Sequence, residues 1–184
     1  MKEQIKQVAI LHFNKLGYEG VKMAHIATEL GIKKQSLSYH YPSKKELVME
    51  LYTEVIAQEI EYVEHFFRQE KELPVKDQLY TFLQQLKVRV QQQPNVTFLQ
   101  ITAFMVPFAL QNFIVSKYHT YLHVVKQEIL LVFSQLETNC SKEECTIAFL
   151  AIFDGLLTKL VYEPSQSFEE VLDAAFSIFW RGIS

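Results

Sequence analysis

The sequence predicts an all-α fold of about nine helices, with a three-helix head over residues 1–46 and a helical bundle over 47–184. Three observations predict it. Apolar residues recur at helical spacing, as in Ile5, Ala9, Phe13 and Leu16, and no long alternating run suggests a sheet. The chain has only five glycines and five prolines, most of them where helices should stop. The pattern S-x-x-E occurs at Ser43 and Glu46, at Ser141 and Glu144, and at Ser167 and Glu170. In such a capping box the serine oxygen accepts from an amide three residues on and the glutamate reaches back, so each marks a helix start.

The elements follow in order. The first helix covers 2–16, with Gly17 suited to a left-handed C-terminal cap. Short helices at 23–30 and 34–40 flank Gly31, and the Ser43 cap opens a long helix over 44–68. After the polar run 68–72, Pro74 suits the first turn of a helix over 75–93, which Pro94 closes. Pro107 separates a helix at 96–105 from one at 108–137, and the stretch around Ser116 leaves room for two helices there. The last two capping serines open helices at 142–162 and 167–181.

Composition narrows the function classes. Apolar residues make up 49% and aromatics 13%, which excludes disorder and allows a substantial core. Met1 leads into KEQIKQVAILHF, which has helix period and charge but lacks the apolar block of a secretory signal. The longest apolar stretch, 101–115, is interrupted by Thr102, Pro107, Gln111 and Asn112 and is too short to span a bilayer. A cytoplasmic protein with no membrane partner is expected. Cys140 and Cys145 are too few for a disulfide framework and lack metal-ligand partners. His119 and His123, four apart, could share a helix face toward a metal, but no Glu stands between them in the H-E-x-x-H manner; surface or packing histidines are expected, and no metal. No Gly-rich phosphate loop, paired carboxylates or nucleophile–base set can be assembled, so neither an enzyme nor a cofactor is expected. Asp154, beside Gly155, is the one isolated acid in an apolar helix, and it reads as a packing or hydrogen-bonding residue.

Charge is distributed unevenly. The net charge is −3, yet residues 1–50 hold eight lysines against five acids. A basic head on an acidic body suits a protein that touches phosphates with one end.

Residues 26–47, IATELGIKKQSLSYHYPSKKEL, explain why. A helix-turn-helix needs a small residue where its two helices cross, and Ala27 supplies it. The turn needs a residue tolerant of left-handed backbone, and Gly31 follows four positions later. Ile26, Leu30, Ile32 and Leu37 fall on the shared core. That leaves Lys33, Lys34, Gln35, Ser36, Ser38, Tyr39 and His40 on the outer face of the second helix, with no acid among them. Such a face fits a polyanion, and in this motif the second helix enters the DNA major groove.

The segment 31–47, G-I-K-K-Q-S-L-S-Y-H-Y-P-S-K-K-E-L, resembles the signature of TetR-family regulators, close to G-V-S-K-G-T-L-Y-Y-H-F-P-S-K-E-E-L. The preceding F-x-x-x-G-Y-E-G at 13–20 also matches that family's first helix end and turn. The resemblance implies that Lys34, Tyr39, His40 and Lys44 contact DNA, mostly through phosphates, and that Gln35 and Ser36 face bases. Lys44 opens a helix, whose N-terminus also favours an anion. Two positions depart from the pattern. Ser38 stands where the family usually has Tyr, which shortens one phosphate contact. Lys22 stands where a Ser or Thr usually caps the helix before the turn; it cannot cap, but it can reach a phosphate.

For the bundle, the resemblance implies an effector pocket for an apolar or aromatic small molecule, with Phe98, Phe104, Phe108, Tyr121 and Phe153 as lining candidates. It also implies a homodimer through the last two helices. Ala148, Ala151 and Gly155 form a seam of small residues, and Leu172, Phe176 and Phe179 form an apolar stripe. Paired heads would then reach successive major grooves of a palindromic operator, about 34 Å apart. The expected function is a dimeric transcriptional repressor released from DNA by that ligand. The alternative is a ligand-independent DNA-binding architectural or division-linked factor that recruits another protein. An apolar cavity favours the first, and a closed core the second.

Overall fold

All three serine caps form as their spacing requires. In a computed structural model describing residues 1–162 and 167–184, the amides of Glu46, Glu144 and Glu170 donate to Ser43, Ser141 and Ser167 Oγ at 3.1, 3.2 and 3.3 Å. At Ser141 the box is reciprocal, its own amide donating to Glu144 Oε2 at 2.8 Å. Each such cap stabilises its helix by about 0.5–2 kcal/mol.

Among the described residues there are nine α-helices and no strand. They are α1 Lys2–Gly20, α2 Met23–Glu29, α3 Lys34–His40, α4 Lys44–Gln69, α5 Val75–Gln92, α6 Pro94–Phe104, α7 Gln111–Phe133, α8 Lys142–Tyr162 and α9 Phe168–Ile183. Three boundaries differ from expectation for local reasons. Gly17 takes φ +64° and kinks α1 rather than ending it. Pro94 opens α6 as its first residue, where its missing N–H is harmless. The break at Pro107 extends through a 3-10 turn, Phe108–Leu110, and α7 then runs unbroken past Ser116, whose carbonyl accepts from the Thr120 hydroxyl at 3.1 Å.

The chain packs as two compact units, Met1–Gln58 with Gln93–Thr120, and Glu59–Gln92 with Tyr121–Ser184. The first buries Ile5, Ala9 and Phe13 of α1, Ile26 of α2, Leu37 of α3, Leu47 and Tyr52 of α4, and Phe98 and Leu99 of α6. Phe98 joins the elements, its ring 5.8 Å from Phe13 and 6.2 Å from Tyr52. Asn14 Nδ2 donates to the Pro94 carbonyl at 2.8 Å and fixes α1 against α6. The packing units therefore do not follow the expected division at 46/47, because α6 returns to pack on α1.

The second unit is built on aromatic contacts. Phe82 of α5 stacks on Phe153 of α8 at 5.7 Å, and Phe133, Phe149 and Phe179 cluster within 6.3 Å of one another. Tyr80 Oη donates to Asp173 at 2.6 Å, and Lys87 pairs with Glu169, tying α5 to α9. By length and composition alone α8 could cross a membrane, which corrects the expectation that no segment is long enough. Asp154 and Lys159 interrupt the run without making the helix polar.

Candidate nucleic-acid interface

The turn between α2 and α3 depends on one residue. Gly31 has φ +65°, and its amide and that of Ile32 donate to Thr28 and Ala27 carbonyls at 3.0 Å each. Any side chain here would meet the left-handed penalty of about 1–2 kcal/mol. Ile26, Ala27 and Leu37 are buried and Leu30 and Ile32 half-buried, so the inner face is the one expected.

The outer face of α3 is correspondingly free. Lys33, Lys34, Gln35 and Ser36 are exposed, Tyr39 is 86% exposed, and Ser38 and His40 are half-buried. The Tyr39 and His40 rings meet edge-on at 5.4 Å. Lys22 occupies the N-cap position of α2, makes no side-chain cap and points to solvent, as its chemistry requires.

Lys44 behaves differently from a free phosphate ligand. Its ammonium donates to the carbonyls of Tyr18 at 2.5 Å and Val21 at 3.0 Å, and lies 4.2 Å from the Tyr18 ring centroid. Two of its three donors are thus turned inward, and it clamps the start of α4 to the chain between α1 and α2.

A second support is absent from the sequence reading. Lys6, there only a contributor to charge, is buried and donates to Glu54 at 2.6 Å and Glu3 at 3.1 Å, with Glu50 at 3.3 Å. Burial alone would lower the pKa of this ammonium, but its hydrogen bonds to Glu54, Glu3 and Glu50 outweigh that and hold it above the ordinary value. Tyr41, just past α3, donates to Glu50 Oε1 at 2.9 Å, so the end of α3 is fastened to α4 through the same cluster. The one signal in the sequence is a lysine between Ile5 and Ala9 on the buried side of an amphipathic helix.

Two results follow. Tyr41→Phe should cost about 1.5–3 kcal/mol in urea unfolding, the range of a hydrogen bond to a charged group. Burial raises the pKa of Glu50, but the Tyr41 and Lys6 hydrogen bonds carry it below its ordinary 4.5. Its stabilisation is therefore complete above that value and fades as pH falls below it. Glu50→Gln should flatten the acid limb of a stability–pH curve; an unchanged limb would show that Glu50 is not the group titrating.

The same unit contains a cavity of about 490 Å³. Its walls are the end of α1 from Phe13 to Glu19, Val48 of α4, Phe98, Ile101, Thr102 and Phe104 of α6, and the segment through Phe108. Phe98, Phe104 and Phe108 line it as expected, but Tyr121 and Phe153 do not. Both are buried in the other unit, with Phe153 stacked on Phe82. Aromatic density marks a packed core as readily as a cavity.

The dimer candidates also divide. Ala148, Ala151 and Gly155 are exposed along one face of α8, beside Ile147 at 62% exposure. Leu172, Phe176 and Phe179 are buried within their own unit. They are the apolar face that folds α9 onto its own unit, and the large apolar residue of α9 left exposed is Ile178. Elsewhere His119, His123 and Cys140 are exposed and Cys145 is buried. Among the described residues no three His, Cys, Asp or Glu side chains converge as a metal site would need.

Comparison with known proteins agrees with this layout. Residues 7–51 match the family model described as bacterial regulatory proteins, tetR family. Over 47 residues the chain is 45% identical to the biofilm operon icaADBC HTH-type negative transcriptional regulator IcaR of Staphylococcus aureus and 43% identical to that of Staphylococcus epidermidis. That match covers 26% of this chain and 25% of those relatives, about a quarter of their length. Solved structures extend the likeness in fold to the whole chain. A TerR/AcrR-family transcriptional regulator from Aquifex aeolicus is similar over 98% of both chains, with TM-score 0.70 and 18% identity. FadR from Bacillus subtilis, in complex with stearoyl-CoA, is similar over 100% of both, with TM-score 0.73 and 14% identity. NalD of Pseudomonas aeruginosa, the secondary repressor of a multidrug efflux pump, is similar over 99% of this chain and 94% of its own, with TM-score 0.72 and 15% identity.

Proposed function

We propose that this TetR-family chain, with the family's DNA-binding head at its N-terminus and the family's all-helical fold, is a dimeric repressor that leaves its operator when a small apolar ligand binds. The observation that carries this reading is the acid-free outer face of α3, exposed through Lys33, Lys34, Gln35, Ser36 and Tyr39. Lys22, Lys33, Lys34, Ser38, Tyr39 and His40 are suited to phosphates, which position a protein on duplex without reading it. Gln35 and Ser36, in the first turn of α3, are suited to base edges. Repression rather than activation is favoured by the head's likeness to IcaR, a negative regulator. A ligand is favoured over a ligand-independent factor by the cavity, whose volume lies in the range of small-molecule sites. Such a regulator works on the chromosome, and so in the cytoplasm.

Genomic DNA selected in vitro by the purified protein should yield a two-fold symmetric site with half-sites about one helical turn apart. Lys34→Ala should then weaken binding to all sequences alike and reduce the slope of log affinity against log salt by about one. An unchanged salt slope would remove Lys34 from the phosphate contacts, and failure to enrich any duplex would remove the reading altogether.

A further inference from the structure

We infer that the cavity between the end of α1 and α6 is a binding site for an apolar organic cation, and that its occupancy is read directly by the DNA-binding head. The inference rests on the repressor reading and adds to it the site, the ligand class and the route of the signal.

The chemistry of the walls sets the class. Phe104 and Phe108 present aromatic surface, and Ile101, Met105 and the almost wholly buried Phe13 and Phe98 complete the apolar lining. Phe108 is 91% exposed, Met105 63% and Phe104 45%, an exposed apolar cluster at the cavity's edge. Scattered apolar residues need no explanation, but a contiguous cluster around a concavity marks a binding surface. Among the lining residues Glu19 alone carries a formal charge. A carboxylate beside aromatic faces attracts a cation twice, by its charge and through the ring quadrupoles, and repels an anion.

The route follows from what the walls also hold. Gly17 and Tyr18 line the cavity, and the Tyr18 carbonyl is one of the two that hold the Lys44 ammonium. A ligand that displaces the Tyr18 backbone loosens the clamp between the start of α4 and the chain leading into α2. The helix-turn-helix then loses one of its fixed supports, and DNA affinity falls. Coupling of this kind is reciprocal, so bound DNA lowers affinity for the ligand by the same factor.

The test uses two probes of nearly equal size and shape and opposite charge, tetraphenylphosphonium and tetraphenylborate, titrated into the full-length protein in sodium buffer. The phosphonium should bind at one site per chain and the borate at least about tenfold more weakly. Glu19→Lys, at an exposed position, should reverse that order, and Phe108→Ala should weaken the phosphonium by about three- to tenfold. Val106→Trp should block binding; should it fail to fold, the charge reversal alone decides the matter. Saturating phosphonium should lower affinity for the selected operator, and operator should lower affinity for the phosphonium equally. Equal binding of both ions, or no reversal in Glu19→Lys, overturns the site. Binding with unchanged DNA affinity overturns the signal route. A protein that shows the charge reversal but ignores every duplex keeps the cation site and overturns the repressor reading instead.

Discussion

Ala151→Glu should separate the proposed dimer into monomers and weaken operator binding by about two orders of magnitude, while the subunit stays folded and unfolds at a midpoint that no longer depends on protein concentration. The face that Ala151 occupies is the reason. Ile147, Ala151, Asp154 and Thr158, with Ala148 and Gly155 beside them, are exposed at one-turn intervals along α8. Small side chains there allow a second helix to approach closely, and a Cβ at Gly155 would meet nothing within 4 Å inside the subunit. The helix is apolar enough to pass for a membrane span, yet among the described residues of its own unit Ile147, Ala148, Ala151 and Gly155 stay exposed. In the proposed dimer a second copy would cover these residues and complete a two-headed protein. Glutamate is a good helix former, so the subunit itself has no reason to weaken. In a two-fold dimer through this face, however, the new carboxylates would be brought near one another and add to the charge of Asp154. Loss of the linked second head removes an effective-concentration gain of about 10²–10⁴. Sedimentation velocity beside a gel shift reads both effects; a variant that stays dimeric, or a wild type already monomeric at micromolar concentration, would falsify the α8 interface.

The part of the fold legible in the sequence is the part whose demands are local. Gly31 is needed by one turn, Ala27 by one crossing, and Ser43, Ser141 and Ser167 by one amide each, so these are visible without any tertiary information. The outer face of α3 is legible for the same reason, since seven residues set which side faces inward. The cavity is not. It exists because α6 folds back on α1, a contact sealed by Asn14 and the Pro94 carbonyl across 80 residues of sequence. Spacing alone therefore cannot separate Phe108, at the cavity's edge, from Phe153, in a packed core.

The stripe of Leu172, Phe176 and Phe179 is spent on the core of its own unit, so the proposed partner contact is left to the smaller exposed residues of α8, Ile147, Ala148 and Ala151. Lys44 and Lys6 show the corresponding limit for charge. Both count as cations in a sequence tally, yet one ammonium is held by carbonyls and the other by three carboxylates. Only Lys6 has its charge matched by carboxylates; Lys44 keeps its positive charge while two of its donors are engaged.

Arg89→Ala should destabilise the second unit by about 3–5 kcal/mol at neutral pH, the cost of leaving one member of a buried ion pair alone. Arg89 Nη2 donates to Glu59 Oε1 at 2.5 Å, and the two side chains are 9% and 8% exposed. The guanidinium carbon also lies 3.3 Å from the Tyr62 ring centroid, so truncation removes a stacking partner as well as a charge. Burial pushes the Tyr62 hydroxyl's pKa up to about 12, Arg89 pulling against it, so Tyr62 stays neutral across the working range. Burial likewise raises the Glu59 carboxyl above its ordinary 4.5 even though Arg89 opposes the shift. Without Arg89 it rises further. A carboxyl whose folded pKa exceeds its unfolded one binds protons more tightly when folded, so its penalty is absent below pH 4.5 and grows as pH rises through the folded value. Arg89→Ala should therefore regain stability as pH is lowered from 7.5 toward 5, the reverse of the Glu50 effect in the head. Glu59→Gln with Arg89→Met removes both charges and keeps the volume, so it should lose much less than Arg89→Ala alone. Urea unfolding of the three proteins at both pH values decides it. A single variant as stable as wild type, or a pair as damaged as the single, would mean that this ion pair is not what holds α5 to α4.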